Sequence, residues 1–178
     1  MRALVATVAV AAIALPAAAT SVDPKALVLR PDDVPAGFRF DPHESGLRSN
    51  KLEAKEFPET RRLFTRWGRI TGYQAAYQKN GARIEGRADL FRTRGGARRL
   101  LLWADREARR QGPMGLERDR ARVGTEGWAY AARTPLVFTF VLWRYKRVWA
   151  GVATLGLSKA ATLALARAQQ RRIADALR

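Results

Sequence analysis

The chain has 178 residues, with 33 lysines and arginines against 16 aspartates and glutamates, one histidine and no cysteine. A formal net charge of +17 points to a polyanionic partner. The lack of cysteine excludes disulfides, thiol nucleophiles and zinc–thiolate sites. Of the basic residues 27 are arginine and only six lysine, a skew that GC-rich coding also produces, so composition competes with function as the source of the charge.

Residues 1–19, "MRALVATVAVAAIALPAAA", have the layout of a secretory signal peptide. Arg2 gives the positive start, and Ala3 to Leu15 is an apolar run. Pro16 precedes the small residues Ala17 and Ala19. The run is shorter than the roughly 20 residues that span a bilayer. Without a cysteine to lipidate and with no later transmembrane segment, the expected product is a secreted, extracytoplasmic domain over residues 20–178.

Residues 20–57 read as an irregular lead-in, because Pro24, Pro31, Pro35 and Pro42 exclude a long helix. Within it "KALVL" suggests an apolar anchor, "GFRF" a short strand and "KLEAKEF" a weak helix. "FPETRRLFTRWG" reads as a helix stopped by Gly68, with Leu63, Phe64 and Trp67 on one face.

A β-hairpin follows, since Asn80-Gly81 is a strong type I′ signal. A two-residue loop pairs Lys79 with Ala82, Tyr77 with Ile84 and Thr71 with Leu90. That register puts Tyr73, Ala75, Tyr77, Ile84, Ala88 and Leu90 on one face. Gln74, Gln78, Arg83, Glu85, Arg87 and Asp89 fall on the other, which reads as the solvated side of the sheet.

"RTRGGARRLLLWADREARRQG" is a helix by its 3.6-residue period, with Ala97, Leu100, Leu101, Ala104 and Ala108 inward. Gly112-Pro113 ends it, and residues 113–124 read as a loop. "GWAYAAR" is then a short strand. "LVFTFVLWR" and "RVWAGVATL" are strands apolar on both faces, hence central or covered on both sides. A turn at Tyr145-Lys146 would set Arg144 opposite Arg147. "SKAATLALARAQQRRIADALR" is the last helix, capped by Ser158, with Leu163, Ala166, Ile173, Ala174 and Leu177 inward. Two strand–strand–helix halves imply an α+β fold: one antiparallel sheet of five or six strands with helices packed on one face.

The stretches "LRPDDVPAGF", "WGRITGYQAAY", "GTEGWAY", "VLWRYKRVWAGVA" and "ALARAQQRRIADAL" resemble a group of uncharacterised exported proteins and lipoproteins of actinobacteria and their relatives. The layout also resembles PsbP-like extracytoplasmic sensor domains, which lack catalytic residues. The resemblance covers most of the chain after residue 19, and its motifs are mostly structural. It implies an exported α+β domain without cofactor or catalytic machinery. Two departures stand out: the lipoprotein cysteine is absent, and the Gly-Asn turn of the group is replaced by Tyr145-Lys146.

Chemistry-bearing patterns are sparse. His43 lies near Asp32, Asp33, Asp41 and Glu44, but the spacing matches no standard metal loop, and no metal is expected there. Glu85 and Asp89 are four residues apart on one strand, about 13 Å, too far for a glycosidase pair. No Gly-x-Ser-x-Gly elbow occurs. Gly95-Gly96 at a helix start among Arg94, Arg98 and Arg99 could hold an anion, though it is far less than a P-loop. Tyr73 and Tyr77 read as core, which argues against nucleic acid. Trp143, Arg144, Tyr145 and Trp149 cluster near a turn and could protrude.

The expected function is therefore non-catalytic binding of an anionic envelope polymer or lipid, a ligand or a protein partner. The expected electrostatic stripe is Arg94, Arg98, Arg99, Arg106, Arg109 and Arg110 on the first long helix. The competing readings are a hydrolase-like envelope enzyme with unplaced carboxylates, and an interaction module whose partner covers the apolar strands from Leu136 to Leu155.

Overall fold

The computed structural model describes residues 22–111, 116–133 and 137–178. The leader over residues 1–19 and the Gly112-Pro113 stop lie outside these. Two 3-10 turns (Pro24–Leu27, Pro31–Asp33) open the domain. Strands β1 (Arg39–Phe40) and β2 (Gly46–Arg48) and helices α1 (Asn50–Glu56) and α2 (Thr60–Trp67) follow. The hairpin β3 (Arg69–Lys79) and β4 (Ala82–Phe91) leads into α3 (Arg94–Gln111). Strands β5 (Glu117–Arg120), β6 (Glu126–Arg133), β7 (Val137–Tyr145) and β8 (Val148–Leu155) precede α4 (Lys159–Ala176).

The architecture is the expected α+β fold, an antiparallel sheet with helices packed against it. The sheet has eight strands, in the order β1-β3-β4-β8-β7-β6-β5, with β2 also on β3. The two strands beyond the expected five or six are β2 and β5. Both are short edge strands, and the Glu-Arg-Asp-Arg of β5 has no apolar alternation to betray it. They are held by ladders to Tyr73 and its neighbours and to Trp128–Ala131.

The hairpin register is as expected from Lys79↔Ala82 to Thr71↔Leu90, and Asn80 and Gly81 both have positive φ, 48° and 81°. The two halves join where β4 pairs β8, from Arg83↔Leu155 to Leu90↔Val148. The turn between β7 and β8 falls one residue later than expected, at Lys146-Arg147. Arg144 therefore lies opposite Trp149 instead of Arg147. Moving the loop by one residue keeps every side chain on its face and separates two like charges. Lys146 takes a left-handed conformation (φ 49°), and its Nζ donates to the Leu177 carbonyl at 2.8 Å.

The helices do not share one face. Ala88, Ala150, Val152, Val141 and Trp143 pack with Leu165, Ala166 and Ile173 of α4, together with Leu27, Val28 and Leu29. Their sequence neighbours Trp149 and Leu142 pack with Phe91 and with Ala97, Leu100 and Leu101 of α3 and Phe64 of α2. Adjacent strand residues point to opposite faces, so α4 covers one face and α1–α3 the other. This is what strands β7 and β8, apolar on both sides, require. Leu165 and Ala168 of α4 are buried beyond the expected stripe, because the apolar lead-in over Leu27–Leu29 packs beside that helix.

Tyr77 is anchored beneath that lead-in, its hydroxyl donating to the Leu29 carbonyl at 2.9 Å. Burial pushes the Tyr77 phenol up to about 12. A raised folded pKa keeps its contribution intact below pH 10 and loses it as pH rises from 10 through about 12. A spectrophotometric titration should show Tyr77 ionising late, together with Tyr130, whose phenol burial likewise raises. A Tyr77→Phe variant should lack that step and lose less stability between pH 10 and 12. Equal alkaline loss in both proteins would refute the assignment.

Candidate functional site

The charged row of the hairpin is solvated only toward its turn, where Gln78 and Arg83 are accessible; toward the other end it is covered. Asp89 and Arg69 are both fully buried, joined at 2.6 Å. Arg87 donates to Asp89 at 3.1 Å and to Glu53 of α1 at 2.8 Å. Arg48 of β2 donates to Glu53 at 2.6 Å and also pairs with Glu56. Arg69 completes the chain through Asn50 Oδ1 at 2.7 Å and the Arg48 carbonyl at 2.8 Å. Helix α1 has only seven residues, and the one it buries is Glu53, so it is fastened to the sheet by ions instead of by an apolar stripe. Burial works against the Arg87 guanidinium, but the Asp89 and Glu53 carboxylates overrule it and raise its pKa. Sequence alternation could not show this, because the cover comes from a segment some thirty residues away. Asp89 and Glu53 have almost no access to solvent, so neither can meet a substrate.

The turn acids are also engaged. Asp41 Oδ1 accepts from the His43 and Glu44 backbones at 3.0 and 3.3 Å. Asp33 accepts from Arg30 N at 2.8 Å and pairs with Arg172 of α4. Gly95-Gly96 has a packing cause: a Cβ on Gly96 would lie 2.9 Å from Phe91 Cδ1 and closer still to the Trp67 carbonyl. Thr93 Oγ1 accepts from Gly96 N at 3.1 Å and so caps α3. Trp143 and Trp149, adjacent to one turn in sequence, are buried on opposite faces. The Trp143 indole donates to Gln170 at 2.7 Å, while Trp149 lies on the α3 side.

The six arginines expected to form an anion site are all exposed along α3. The structure divides them. Arg98 pairs with Glu126 at 3.1 Å, Arg109 with Asp105 at 3.3 Å and Arg110 with Glu107 at 2.6 Å. Burial raises Glu126, but hydrogen bonds from Arg98 and Arg144 outweigh it and leave its carboxyl below the usual range. Arg94, Arg99 and Arg106 have no acidic partner among the described residues. Helix α2 adds Arg61, Arg62 and Arg66, also exposed and without acidic partners among the described residues. The two helices meet at Trp67 and Trp103, whose rings lie 6.5 Å apart. Helical spacing puts Arg99, Trp103 and Arg106 on one face. The outcome is an arginine-rich surface on α2 and α3, the helices joined by two half-buried indoles. The contribution of α2 was hidden in the sequence, because contact between the two helices passes across the intervening hairpin.

Helix α3 is pinned in its second half by Asp105, which accepts from Tyr130 Oη at 2.5 Å and Arg118 Nε at 2.7 Å. Arg118 in turn lies over the Trp128 ring at 3.5 Å. The basic surface therefore rests on a fixed scaffold.

No family model matches the sequence, and neither does any curated protein. The fold has a structural likeness in the extracellular domain of PknH from Mycobacterium tuberculosis, with a TM-score of 0.59. The match covers 84% of this chain and 94% of that one at 9% identity, so it speaks for the fold alone.

Proposed function

We propose that this chain is an exported, non-catalytic domain, residues 20–178 after removal of a leader over 1–19. Its α2–α3 face binds an anionic component of the cell envelope. The observation that carries this reading is the set Arg61, Arg62, Arg66, Arg94, Arg99 and Arg106, free of acidic partners among the described residues and grouped with Trp67 and Trp103. Solvated arginines without counter-charges attract polyanions, and indoles suit a boundary between apolar and wet surroundings. Shared fold with an extracellular domain supports the location, and among the described residues no helix is long and apolar enough to cross a membrane. Arg98, Arg109 and Arg110 are satisfied within the protein and contribute less.

The test is binding of residues 20–178 to anionic lipid vesicles, an anionic polysaccharide and duplex DNA across a salt series. Tight, salt-sensitive binding to lipid or polysaccharide is expected. Reversing Arg62, Arg66, Arg99 and Arg106 to Glu should weaken it by about 100-fold or more, at about 1 kcal/mol per basic contact. Reversing Arg109 and Arg110 should do far less. Weak, indiscriminate binding to all three anions would overturn the reading and mark the charge as compositional.

A further inference from the structure

Helices α1–α3 cover only one end of their face of the sheet. Toward the other end two cavities open side by side, of about 520 and 300 Å³, sharing Glu85 and Arg87. The larger is polar, and its charges balance: Arg48, Arg83 and Arg87 against Glu44, Glu56 and Glu85. Arg83 pairs with both Glu44 and Glu85, at 3.2 and 3.3 Å, and Arg48 pairs with Glu56. The smaller is an apolar shelf of Phe138, Phe140, Leu142 and Trp149 over Gly151 and Ala153. Phe140 is held in place by stacking on Tyr130, with centroids 4.4 Å apart. At the junction Arg87 Nε and the Trp149 indole N–H have no acceptor among the described residues.

We infer that this cleft binds a neutral amphiphile, with a hydroxyl-rich head among the ion pairs and an apolar tail on the aromatic shelf. The head follows from the balanced charges. An anionic head would have to draw an arginine from an existing ion pair, and a cationic head would have to compete with Arg83 for the carboxylates it already holds. A hydroxyl both donates and accepts, so it adds to a pair without separating it. The tail follows from the shelf, whose two phenylalanine rings are only half-buried and would shed water on contact. A concave site with an apolar wall and a few convergent polar groups is the usual form of a small-ligand pocket. This inference does not rest on the basic helical surface, which lies elsewhere.

The test uses octyl glucoside as the probe, below its micellar concentration, with octyl sulfate, octyltrimethylammonium and free glucose alongside. Binding to residues 20–178 is read by calorimetry and by tryptophan emission. Saturable binding of octyl glucoside is expected, about tenfold or more tighter than either charged analogue or glucose. Ala153→Trp fills the shelf and should cost about tenfold or more, with Ala153→Leu intermediate and the fold retained by circular dichroism. The fourfold arginine reversal expected to weaken anion binding should leave octyl glucoside binding unchanged. Equal binding of all three octyl compounds would overturn the head assignment, and equal binding of glucose would overturn the tail. No saturable binding, or binding indifferent to both Ala153 variants, would overturn the site.

Discussion

Asp89→Asn should destabilise the domain by about 3–5 kcal/mol, the loss expected when one partner of a buried ion pair is removed. Arg69 would then remain fully buried with its charge uncompensated, and Arg87 would keep only Glu53. At this chain length such a loss lowers the midpoint of thermal unfolding by about 10 °C. The charge and not the site's shape is at issue, so the double variant Arg69→Met/Asp89→Leu should recover more than half of the loss. Urea unfolding of the three proteins decides it. An Asp89→Asn variant as stable as the parent would mean that solvent reaches the pair and that α1 is fastened otherwise. A single variant and a double variant equally unstable would show that packing, not charge, sets the cost.

Gly96→Ala should cost about 3 kcal/mol, while Gly95→Ala should be neutral or stabilising by a few tenths. The two glycines are adjacent and look alike in the sequence, but a Cβ on Gly95 meets nothing nearer than Thr93 Oγ1 at 3.8 Å. On Gly96 it would press on the Trp67 backbone and the Phe91 ring, both parts of rigid elements. If the pair served to cradle an anion, either substitution would affect binding and neither would greatly affect stability. Denaturation midpoints of the two variants, with vesicle binding measured alongside, distinguish packing from recognition. Equal stability of both variants would overturn the packing account.

Where pattern and neighbour act locally, the reading from sequence and the structure agree. The Asn80-Gly81 hairpin has its expected register, Gly68 ends α2 in a left-handed conformation (φ 71°), and Ser158 caps α4 through the Ala161 amide at 3.2 Å. These features depend on a few consecutive residues, so turn chemistry, capping and period suffice. The two-sided cover of β7 and β8 was legible too, from their unbroken apolar character, although the one-face placement of the helices contradicts it.

The candidate sites were less legible, because each is made by segments distant in the chain. Arg83, Glu85, Arg87 and Asp89 alternate with apolar residues as a wet face should. Burial of Arg87 and Asp89 depends on α1, which brings Glu53, and on Arg69. The arginine stripe of α3 was visible as a stripe. Its division into satisfied and unsatisfied members depends on where Glu126 falls in the sheet and where Asp105 and Glu107 fall on the helix itself. The amino-acid order alone thus carries the fold class, the central hairpin and the abundance of basic charge, all local or compositional properties. Which charges are buried, which find a partner from a distant segment, and where a cleft stays open are decided only by tertiary packing, because the energy of a charge is set by what surrounds it and not by its place in the chain.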